Sequence, residues 1–347
     1  MAGEMGEAVL AVRDLAIEVA TPQGAARAVD GVSFALRPGS VLALVGESGS
    51  GKSLTALALV RLLPPEARIV SGAILYRGLE LSALGRAEMR GIRGKEIGIV
   101  FQEPMTSLNP VMRAGDQVAE AAAAHSSLSA REAGRRAVEL LRAVGIANAE
   151  RVARAYPHEL SGGLRQRVLI AIAIAADPSV LIADEPTTAL DVTVQARILD
   201  LIARLTRERN LAVLLITHSF GVVAELADEV AVLYAGRIVE RAPVHELWSE
   251  PLHPYTRGLF RSIPKIAARK VGPRERRRLE AIPGTVPPPH ARPSGCAFRV
   301  RCPLADRRCE EASPPLEPPW AGAGPRSDAR APGARLVACF RTGEVAA

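Results

Sequence analysis

Short apolar runs alternate with segments of helical periodicity along most of the chain. The segments between the runs repeat apolar residues every three or four positions, as helices packed on a sheet do. Alternation of this kind is typical of a sheet covered by helices. The pattern predicts an α/β fold with strands at Val41–Val45, Ile97–Val100, Val180–Ala183, Val213–Ile216 and Val230–Tyr234.

The clearest predicted helix begins after Ser129, which forms a capping box with Glu132. Its apolar positions recur at helical spacing before Gly145, at Ala133, Ala137, Leu140, Leu141 and Val144. A second helix repeats the pattern at Val194, Ile198, Leu201, Ile202 and Leu205. The whole region from about Pro110 to Pro157 is helical in pattern, so it is predicted to be a helical insert on the α/β domain.

The composition changes after about Gly236. Twelve of the 26 prolines lie between Pro283 and Pro332, and all four cysteines follow Gly295. This tail has too few periodic apolar residues for an ordinary core. It is therefore predicted to be loosely ordered or held together by its cysteines.

No segment of the sequence is expected to span a membrane. The most apolar stretch, Val168–Ala176, ends at Asp177 and is well short of the roughly 20 residues that a spanning helix needs. The N-terminus carries Glu4 and Glu7 and lacks the apolar segment of a signal peptide. The cytoplasm is the expected compartment.

A net charge of +7 indicates an anionic partner or surface. A solvated basic face is the first interpretation of the arginine-rich stretches Arg131–Arg154 and Lys270–Arg278, and an anionic membrane leaflet is the second. Nucleic acid comes last, because no aromatic residues interleave with the basic ones.

A glycine-rich loop follows the strand at Val41–Val45 and precedes a helical segment. It has the P-loop pattern in the required strand–loop–helix context, with residues Gly46, Glu47, Ser48, Gly49, Ser50, Gly51, Lys52, Ser53 and Leu54. Its glycines let backbone N–H groups surround phosphate oxygens, and the helix start adds a positive dipole. Lys52 is predicted to reach the β- and γ-phosphates and Ser53 to bind Mg²⁺.

Two carboxylates end the predicted strand Val180–Ala183. Asp184 is predicted to hold Mg²⁺ through water, and Glu185 to orient and deprotonate the attacking water. An Asp-Glu pair after a strand is a weak signal alone. Together with a P-loop it predicts hydrolysis of a nucleoside triphosphate.

Three further features narrow the class of enzyme. Gln102 and His218 each follow a predicted strand and are candidates for contact with a γ-phosphate, although a lone residue of this kind is more often a loop hydrogen-bonding group. Ser161, Gly162 and Gly163 begin a long apolar helix and form a second anion site. Because the P-loop already holds this chain's phosphates, the second site suits another subunit's nucleotide.

In this order the motifs resemble the ABC ATPase family over about residues 8–240. The resemblance implies a P-loop NTPase fold of the ABC type with a helical subdomain at about 105–160, and a head-to-tail dimer. Ser161 and Gly163 would complete the partner's ATP site, and Asp191 would lie at the dimer seam. Gln102 would join nucleotide, Mg²⁺ and membrane subunit, and His218 would meet the γ-phosphate.

Two positions depart from the family pattern. Members usually stack adenine on an aromatic residue near the end of the first strand, whereas Ile17–Ala20 offers none. Arg27 or an apolar surface is the predicted substitute. Leu164 also stands where many members carry glutamine, while the serine and both glycines of the signature are intact.

Longer strings resemble the oligopeptide/dipeptide importer ATPases. They are Phe101–Pro110, His253–Gly258, Ile282–Pro287 and the cysteine-bearing tail. The resemblance implies peptide uptake through two membrane permeases, with a second ABC ATPase subunit and an extracytoplasmic solute-binding protein, at the cytoplasmic face of the cell membrane. Nickel importers share much of this pattern and stay open as an alternative.

The four cysteines of the extension at 241–347 are candidate metal ligands. Their spacing fits no zinc ribbon or Cys-x-x-Cys motif, and disulfides are not expected in the cytoplasm. The resemblance implies a four-iron cluster on Cys296, Cys302, Cys309 and Cys339, with zinc or unliganded thiols as alternatives. Since the cysteines lie far from the P-loop in sequence, ATP hydrolysis is expected to survive Cys302→Ser.

The sequence has two alternative interpretations. A soluble ABC ATPase acting on nucleic acid would suit the basic charge, but such proteins usually carry two cassettes or long coiled coils, which are not evident here. A regulatory subunit without hydrolysis is disfavoured by Glu185 and His218.

Overall fold

The computed structural model describes residues 8–102, 107–188, 190–263, 282–319 and 334–342. Two sheets form its frame. The first is antiparallel in the order β2-β1-β4-β5, with β1 (Leu10–Thr21), β2 (Gly24–Leu36), β4 (Ala67–Tyr76) and β5 (Leu79–Glu80). The second has the order β11-β10-β9-β3-β8-β7-β6, with β3 (Val41–Val45), β6 (Ile97–Val100), β7 (Val180–Asp184), β8 (Ala212–Thr217), β9 (Glu229–Tyr234), β10 (Arg237–Pro243) and β11 (Leu336–Val337).

The five predicted strands are confirmed as the parallel centre of the second sheet. They correspond to β3, β6, β7, β8 and β9, with bounds that differ from the prediction by no more than one residue. Side chains alternate between two cores. Leu42 and Leu44 point into the core shared with the antiparallel sheet, and Ala43 and Val45 point into the core shared with the helices. Burial on both faces explains why these strands are apolar without interruption.

Helices connect the strands and cover the sheet. Their bounds are α1 (Lys52–Leu59), α2 (Arg86–Ile92), α3 (Ala114–Ala123), α4 (Ala130–Ala143), α5 (Ala149–Arg154), α6 (Gly162–Ala173), α7 (Val192–Arg209), α8 (Phe220–Leu226), α9 (Val244–Ser249), α10 (Pro254–Arg261) and α11 (Arg307–Glu311). No helix in the described ranges is long and apolar enough to cross a membrane.

The insert between β6 and α6 is helical, as its pattern predicts. Its helices α3, α4 and α5 pack on one another, and α3 and α4 also pack on α6. The capping box at the start of α4 is present, since the Ser129 hydroxyl accepts a hydrogen bond from Glu132 N and the Glu132 carboxylate accepts one from Ser129 N. The insert therefore rests on the helix that begins with Ser161.

The C-terminal segments pack on both sheets. Arg292 pairs with Asp30 on β2 at 3.0 Å, and β11 adds to the edge of the second sheet beside β10. Glu240 on β10 is fully buried and accepts hydrogen bonds from the backbone N–H groups of Leu252 and His253. Residues 103–106, the basic stretch at 270–278 and part of the proline-rich tail lie outside the described residues.

Candidate active site

The predicted catalytic residues meet at one edge of the second sheet. The parallel register aligns Val45 with Thr217, Asp184 with Ile216 and Val100 with Ala183. The residues that follow these strands therefore emerge side by side, as expected for the carboxyl ends of parallel strands. Gly46, Gln102, Glu185 and His218 all arise from this edge.

The P-loop needs glycine at two close contacts. A Cβ on Gly46 would lie 2.2 Å from the Leu233 carbonyl oxygen, so the loop could not pack against β9 with any larger residue. Gly51 precedes α1 with a φ of 105°, in the left-handed region that favours glycine, and a Cβ there would lie 3.0 Å from the Ala28 carbonyl oxygen. These contacts turn the loop back onto the start of α1.

Lys52 is buried at the centre of this loop. Its ammonium donates to the carbonyl oxygens of Gly46 at 2.8 Å and Glu47 at 2.9 Å. Burial lowers the pKa of Lys52, and the carboxylates of Glu185 and Asp184 oppose that shift. A cation held in this way is placed to neutralise phosphate charge.

The residues present fit a magnesium ion. Burial raises the pKa of Asp184, and a hydrogen bond from the Ser53 hydroxyl opposes that shift. The Oδ1 atom of Asp184 is buried without a hydrogen-bond partner in the described part of the chain. A buried oxygen left unpaired is costly unless a ligand satisfies it, and carboxylate and hydroxyl oxygens suit Mg²⁺.

Glu185 is held by two neighbours at the end of β7. Its Oε1 lies 2.7 Å from Nδ1 of His218, and its Oε2 accepts a hydrogen bond from Thr188 at 3.1 Å. The backbone of Glu185 adopts a φ of 50°, which costs on the order of 1 kcal/mol for a residue with a side chain. Thr188 was missed by sequence reasoning, although its position three residues after Glu185 is a usable signal.

Two other predicted site residues are exposed at this edge. Gln102 lies two residues beyond β6, and the residues that follow it are outside the described ranges. The His218 side chain is 68% exposed, so one face of its ring is open to a ligand. Both follow strands that end at the sheet edge that bears the P-loop.

The signature residues lie at the start of α6, next to the start of α7. Ser161 caps α6 by accepting a hydrogen bond from Leu164 N, and Asp191 caps α7 by accepting one from Val194 N at 2.9 Å. A Cβ on Gly163 would lie 2.6 Å from Val194, so glycine lets the two helix starts approach closely. Ser161 and Gly162 are exposed, as a site for another subunit's nucleotide requires.

The P-loop also touches the C-terminal region, which sequence reasoning did not foresee. Arg301 pairs with the Glu47 carboxylate at 3.1 Å, and the Tyr255 hydroxyl accepts a hydrogen bond from Glu47 N at 2.9 Å. The distance in sequence between the cysteines and the P-loop is therefore misleading, and the expectation that hydrolysis is independent of the tail loses its basis. The only available signal was that Tyr255 lies in the His253–Gly258 string.

The four cysteines gather around one cavity. They line it together with His253, Phe298 and Arg341, and none forms a disulfide. Burial raises the pKa of all four thiols, that of Cys339 to about 11. Among the described residues, however, no group of three or more His, Cys, Asp or Glu side chains is arranged to hold a metal ion.

These features have counterparts in known proteins. Residues 29–188 match the family described as ABC transporter, and residues 239–309 match the oligopeptide/dipeptide transporter C-terminal region. A protein of Brucella melitensis is 52% identical over 83% of this chain and 87% of its own length, and one of Brucella abortus is 48% identical over 88% and 90%. Both are named "Putative peptide import ATP-binding protein".

Solved structures share the fold. The ATP-binding cassette MJ0796, solved as a dimer in a post-hydrolysis state with ADP and Pi, superimposes with a TM-score of 0.61 at 26% identity, covering 68% of this chain and 98% of its own. CbiO1 of Clostridium perfringens, part of the ABC transporter complex CbiONQ, gives a TM-score of 0.61 at 28% identity, covering 70% and 92%.

Proposed function

Since this chain belongs to the ATP-binding subunits of ABC transporters that carry the oligopeptide/dipeptide C-terminal region, we propose that it powers the uptake of di- or oligopeptides through membrane permeases. As a family member it is an ATPase that uses ATP with Mg²⁺. The names of the Brucella relatives favour peptides as the transported substrate. The single observation that carries the catalytic part is the shared sheet edge that bears the P-loop, Asp184, Glu185 and His218.

In the proposed reaction each side chain has a distinct task. Lys52 and the loop amides would hold the phosphates, and Ser53, Asp184 and Gln102 would hold Mg²⁺, whose charge would offset that of the phosphates. Glu185 accepts the proton of the attacking water. His218 orients Glu185 through the contact at 2.7 Å and faces the γ-phosphate with its exposed side.

We infer that the site is completed by a second ABC subunit. Ser161 is exposed and Gly163 is partly exposed at the start of α6, and Asp191 caps the adjacent helix, so the two helix starts form a surface suited to another chain's nucleotide. The solved dimeric structure of MJ0796 supports this arrangement by analogy. The second ATPase is either a related chain or a second copy.

Transport assays test the proposal. The chain would be reconstituted with its two permeases and solute-binding protein in vesicles, with the ATPase at the cytoplasmic face. ATP-dependent accumulation of labelled peptides, abolished by Glu185→Gln, is the expected result. Accumulation of nickel without peptide would replace the proposed substrate, and salt-sensitive binding to nucleic acid without transport would support the rival function.

We also propose that Cys296, Cys302, Cys309 and Cys339 bind a four-iron cluster that orders the tail. Four thiols lining one cavity are the donor set that such a cluster takes, and each thiolate binds a different iron, so no common point for a single ion is needed. The tail's few apolar residues do not easily offset its ordering entropy, whereas metal–thiolate bonds can.

Metal analysis of anaerobically purified protein tests the cluster. Brown protein containing iron and acid-labile sulfide is expected, and Cys302→Ser should make the tail more sensitive to proteolysis. Stoichiometric zinc without sulfide would replace the cluster with a structural zinc site. Absence of metal would leave four unliganded thiols and refute both.

The domain division stays a proposal. It places the ABC ATPase domain at 8–240, its helical subdomain at about 105–160 and the extension at 241–347. The proposed boundary falls within β10 (Arg237–Pro243), so limited proteolysis that cuts in this strand would support it. An intact β10 in protein that is cut elsewhere would contradict the boundary, because the strand would then belong to one folded unit.

A further inference from the structure

Glu47 is the residue at which the C-terminal region meets the P-loop. Its carboxylate pairs with Arg301, its N–H donates to the Tyr255 hydroxyl, and its carbonyl oxygen accepts the Lys52 ammonium at 2.9 Å. The carboxylate, N–H and carbonyl groups of Glu47 thus contact the C-terminal tail, the His253–Gly258 string and the phosphate-binding lysine. The Ser50 N–H donates to the same carbonyl oxygen at 3.3 Å, so Glu47 also fixes the turn of the loop.

Arg301 is held in a single orientation. Its side chain is 4% exposed and its guanidinium donates to the carbonyl oxygens of Pro283 at 2.8 Å and Gly284 at 3.3 Å. It also lies over the ring of Tyr234, 5.8 Å from the centroid. A guanidinium whose fork is fixed by backbone carbonyls positions a carboxylate more strictly than a flexible ammonium would.

Tyr255 is fixed by the residues around it. The His253 side chain caps α10 by accepting a hydrogen bond from Tyr255 N at 3.1 Å, and the Tyr255 ring packs against Tyr234 and Phe298 with centroids 4.6 Å and 5.4 Å away. Tyr255 is fully buried. Its hydroxyl is therefore held at one position, where it accepts the hydrogen bond from the Glu47 N–H of the P-loop.

We propose that Arg301 and Tyr255 are positioning residues for the ATP site, which hold Glu47 and, through it, the P-loop in the shape that binds phosphate. The His253–Gly258 and Ile282–Pro287 strings then act together, because the first supplies Tyr255 and the second supplies the carbonyls that orient Arg301. Arg301 directly precedes Cys302, so order in the cysteine region is linked to the P-loop. The inference rests on ATP binding by this loop and needs neither peptide uptake nor a cluster.

The P-loop holds phosphate before and during phosphoryl transfer, so loosening it should weaken ground-state binding more than it slows the chemical step. In Arg301→Met full-length protein, KM and Kd for MgATP should rise about tenfold, at the lower end of couplings between linked sites, while kcat changes less than about twofold. Kd for MgADP should rise by the same factor, because the loop also holds the β-phosphate.

Three companion variants make the effect specific. Arg301→Lys should recover part of the affinity, because it keeps the charge beside Glu47. Tyr255→Phe removes only the hydroxyl acceptor and should raise Kd about threefold. Arg307→Met, in the same C-terminal region but exposed and paired with Glu311 instead of Glu47, should leave Kd unchanged.

A double-mutant cycle of Arg301→Met and Glu47→Gln separates positioning from general destabilisation. The two effects on Kd should be far from additive, because each change breaks the same pair. Wild-type protein in the same titration shows that the loop binds ATP, so a failure there would be a failure of the ATP site and not of the coupling.

The outcomes decide the proposal. Unchanged Kd in Arg301→Met, with the C-terminal region still resistant to protease, would overturn it, as would additive effects in the cycle. If Arg301→Met does not fold, Tyr255→Phe takes its place, and wild-type affinity in that variant overturns the proposal in the same way.

Discussion

The ATP site and the cysteine region both bury ionisable groups, but they differ in whether charged neighbours surround those groups. The ATP site brings Lys52, Asp184 and Glu185 together, and charged neighbours oppose the effect of burial on the pKa values of Lys52 and Asp184. In the cysteine region burial lowers the pKa of His253 to about 3 and raises the pKa of Cys339 to about 11. At neutral pH the imidazole of His253 and the thiol of Cys339 are therefore uncharged.

The difference shows what each region is built to accept. Buried charges with an unpaired oxygen, such as Oδ1 of Asp184, form a fixed electrostatic environment that a phosphate and Mg²⁺ complete. Neutral buried groups instead stabilise packing, and they become charged only if a metal displaces the thiol protons or the region opens to water. Changing charge should therefore impair chemistry in one region and folding in the other.

Removing charge from the ATP site should have the largest effect. Glu185→Gln is expected to reduce ATP hydrolysis by a factor on the order of 10² or more while leaving ATP binding intact, because the general base is lost and the phosphate contacts remain. The closed dimer should accumulate. Steady-state hydrolysis and nucleotide binding by the purified variant measure both, with the exposed Glu225→Gln as control. Normal turnover would refute the role of Glu185.

Adding charge to the cysteine region should destabilise the fold in acid. His253 has a folded pKa of about 3, below its ordinary value near 6.5, so the unfolded chain binds the proton more tightly. Its contribution is complete above pH 6.5 and is lost as the pH falls towards 3, at up to about 1.4 kcal/mol per pH unit. Unfolding free energies at several pH values measure this.

The matched variant for that experiment is His253→Gln, which should lack this part of the pH dependence. Burial raises the pKa of Glu240, so that carboxyl acts with the opposite sign, but it is common to both proteins and cancels in their difference. Parallel curves for wild type and His253→Gln would show that His253 is not buried in its neutral form.

Changes at the part of the ATP site that contacts adenine should have the smallest effect. With no aromatic residue at Ile17–Ala20, adenine lacks a stacking partner that contributes about 0.5–1.5 kcal/mol. Ile17 is fully buried and Val19 is half-buried on β1. GTP should therefore compete with ATP within about tenfold, and Val19→Tyr should increase the preference for ATP. Strong preference in the wild type would indicate an adenine platform elsewhere.

Most of the ATP site could be predicted because its signals are local. Each strand of the parallel sheet is a short apolar run, and the residue that follows it bears the chemistry, as Asp184 and His218 do. The glycines of the P-loop pattern predict the close backbone contacts that such a loop requires. The order of the strands could not be read in this way, since β3 lies between β9 and β8 and β11 joins β10 from a distant part of the chain.

The contact between Arg301 and Glu47 could not be predicted for a related reason. The two residues are 254 positions apart, and each has an ordinary local context, one in a P-loop and one between cysteines. Only packing of the tail on the aromatic cluster of Tyr234, Tyr255 and Phe298 brings them together. The convergence of the cysteines on one cavity follows from the same packing, although the resemblance to the peptide importer ATPases did imply a common site.

Strand β11 has a consequence beyond the active site. It pairs Leu336 and Val337 with Arg241 and Glu240 on β10, and Val337 is further bridged to Glu317. An uncovered β10 would present free N–H and C=O groups to neighbouring molecules, which is how sheets join edge to edge and aggregate. By pairing with β10, the tail covers this sheet edge and should limit aggregation. A chain ending before residue 334 would keep every nucleotide motif, yet it should self-associate through the exposed edge.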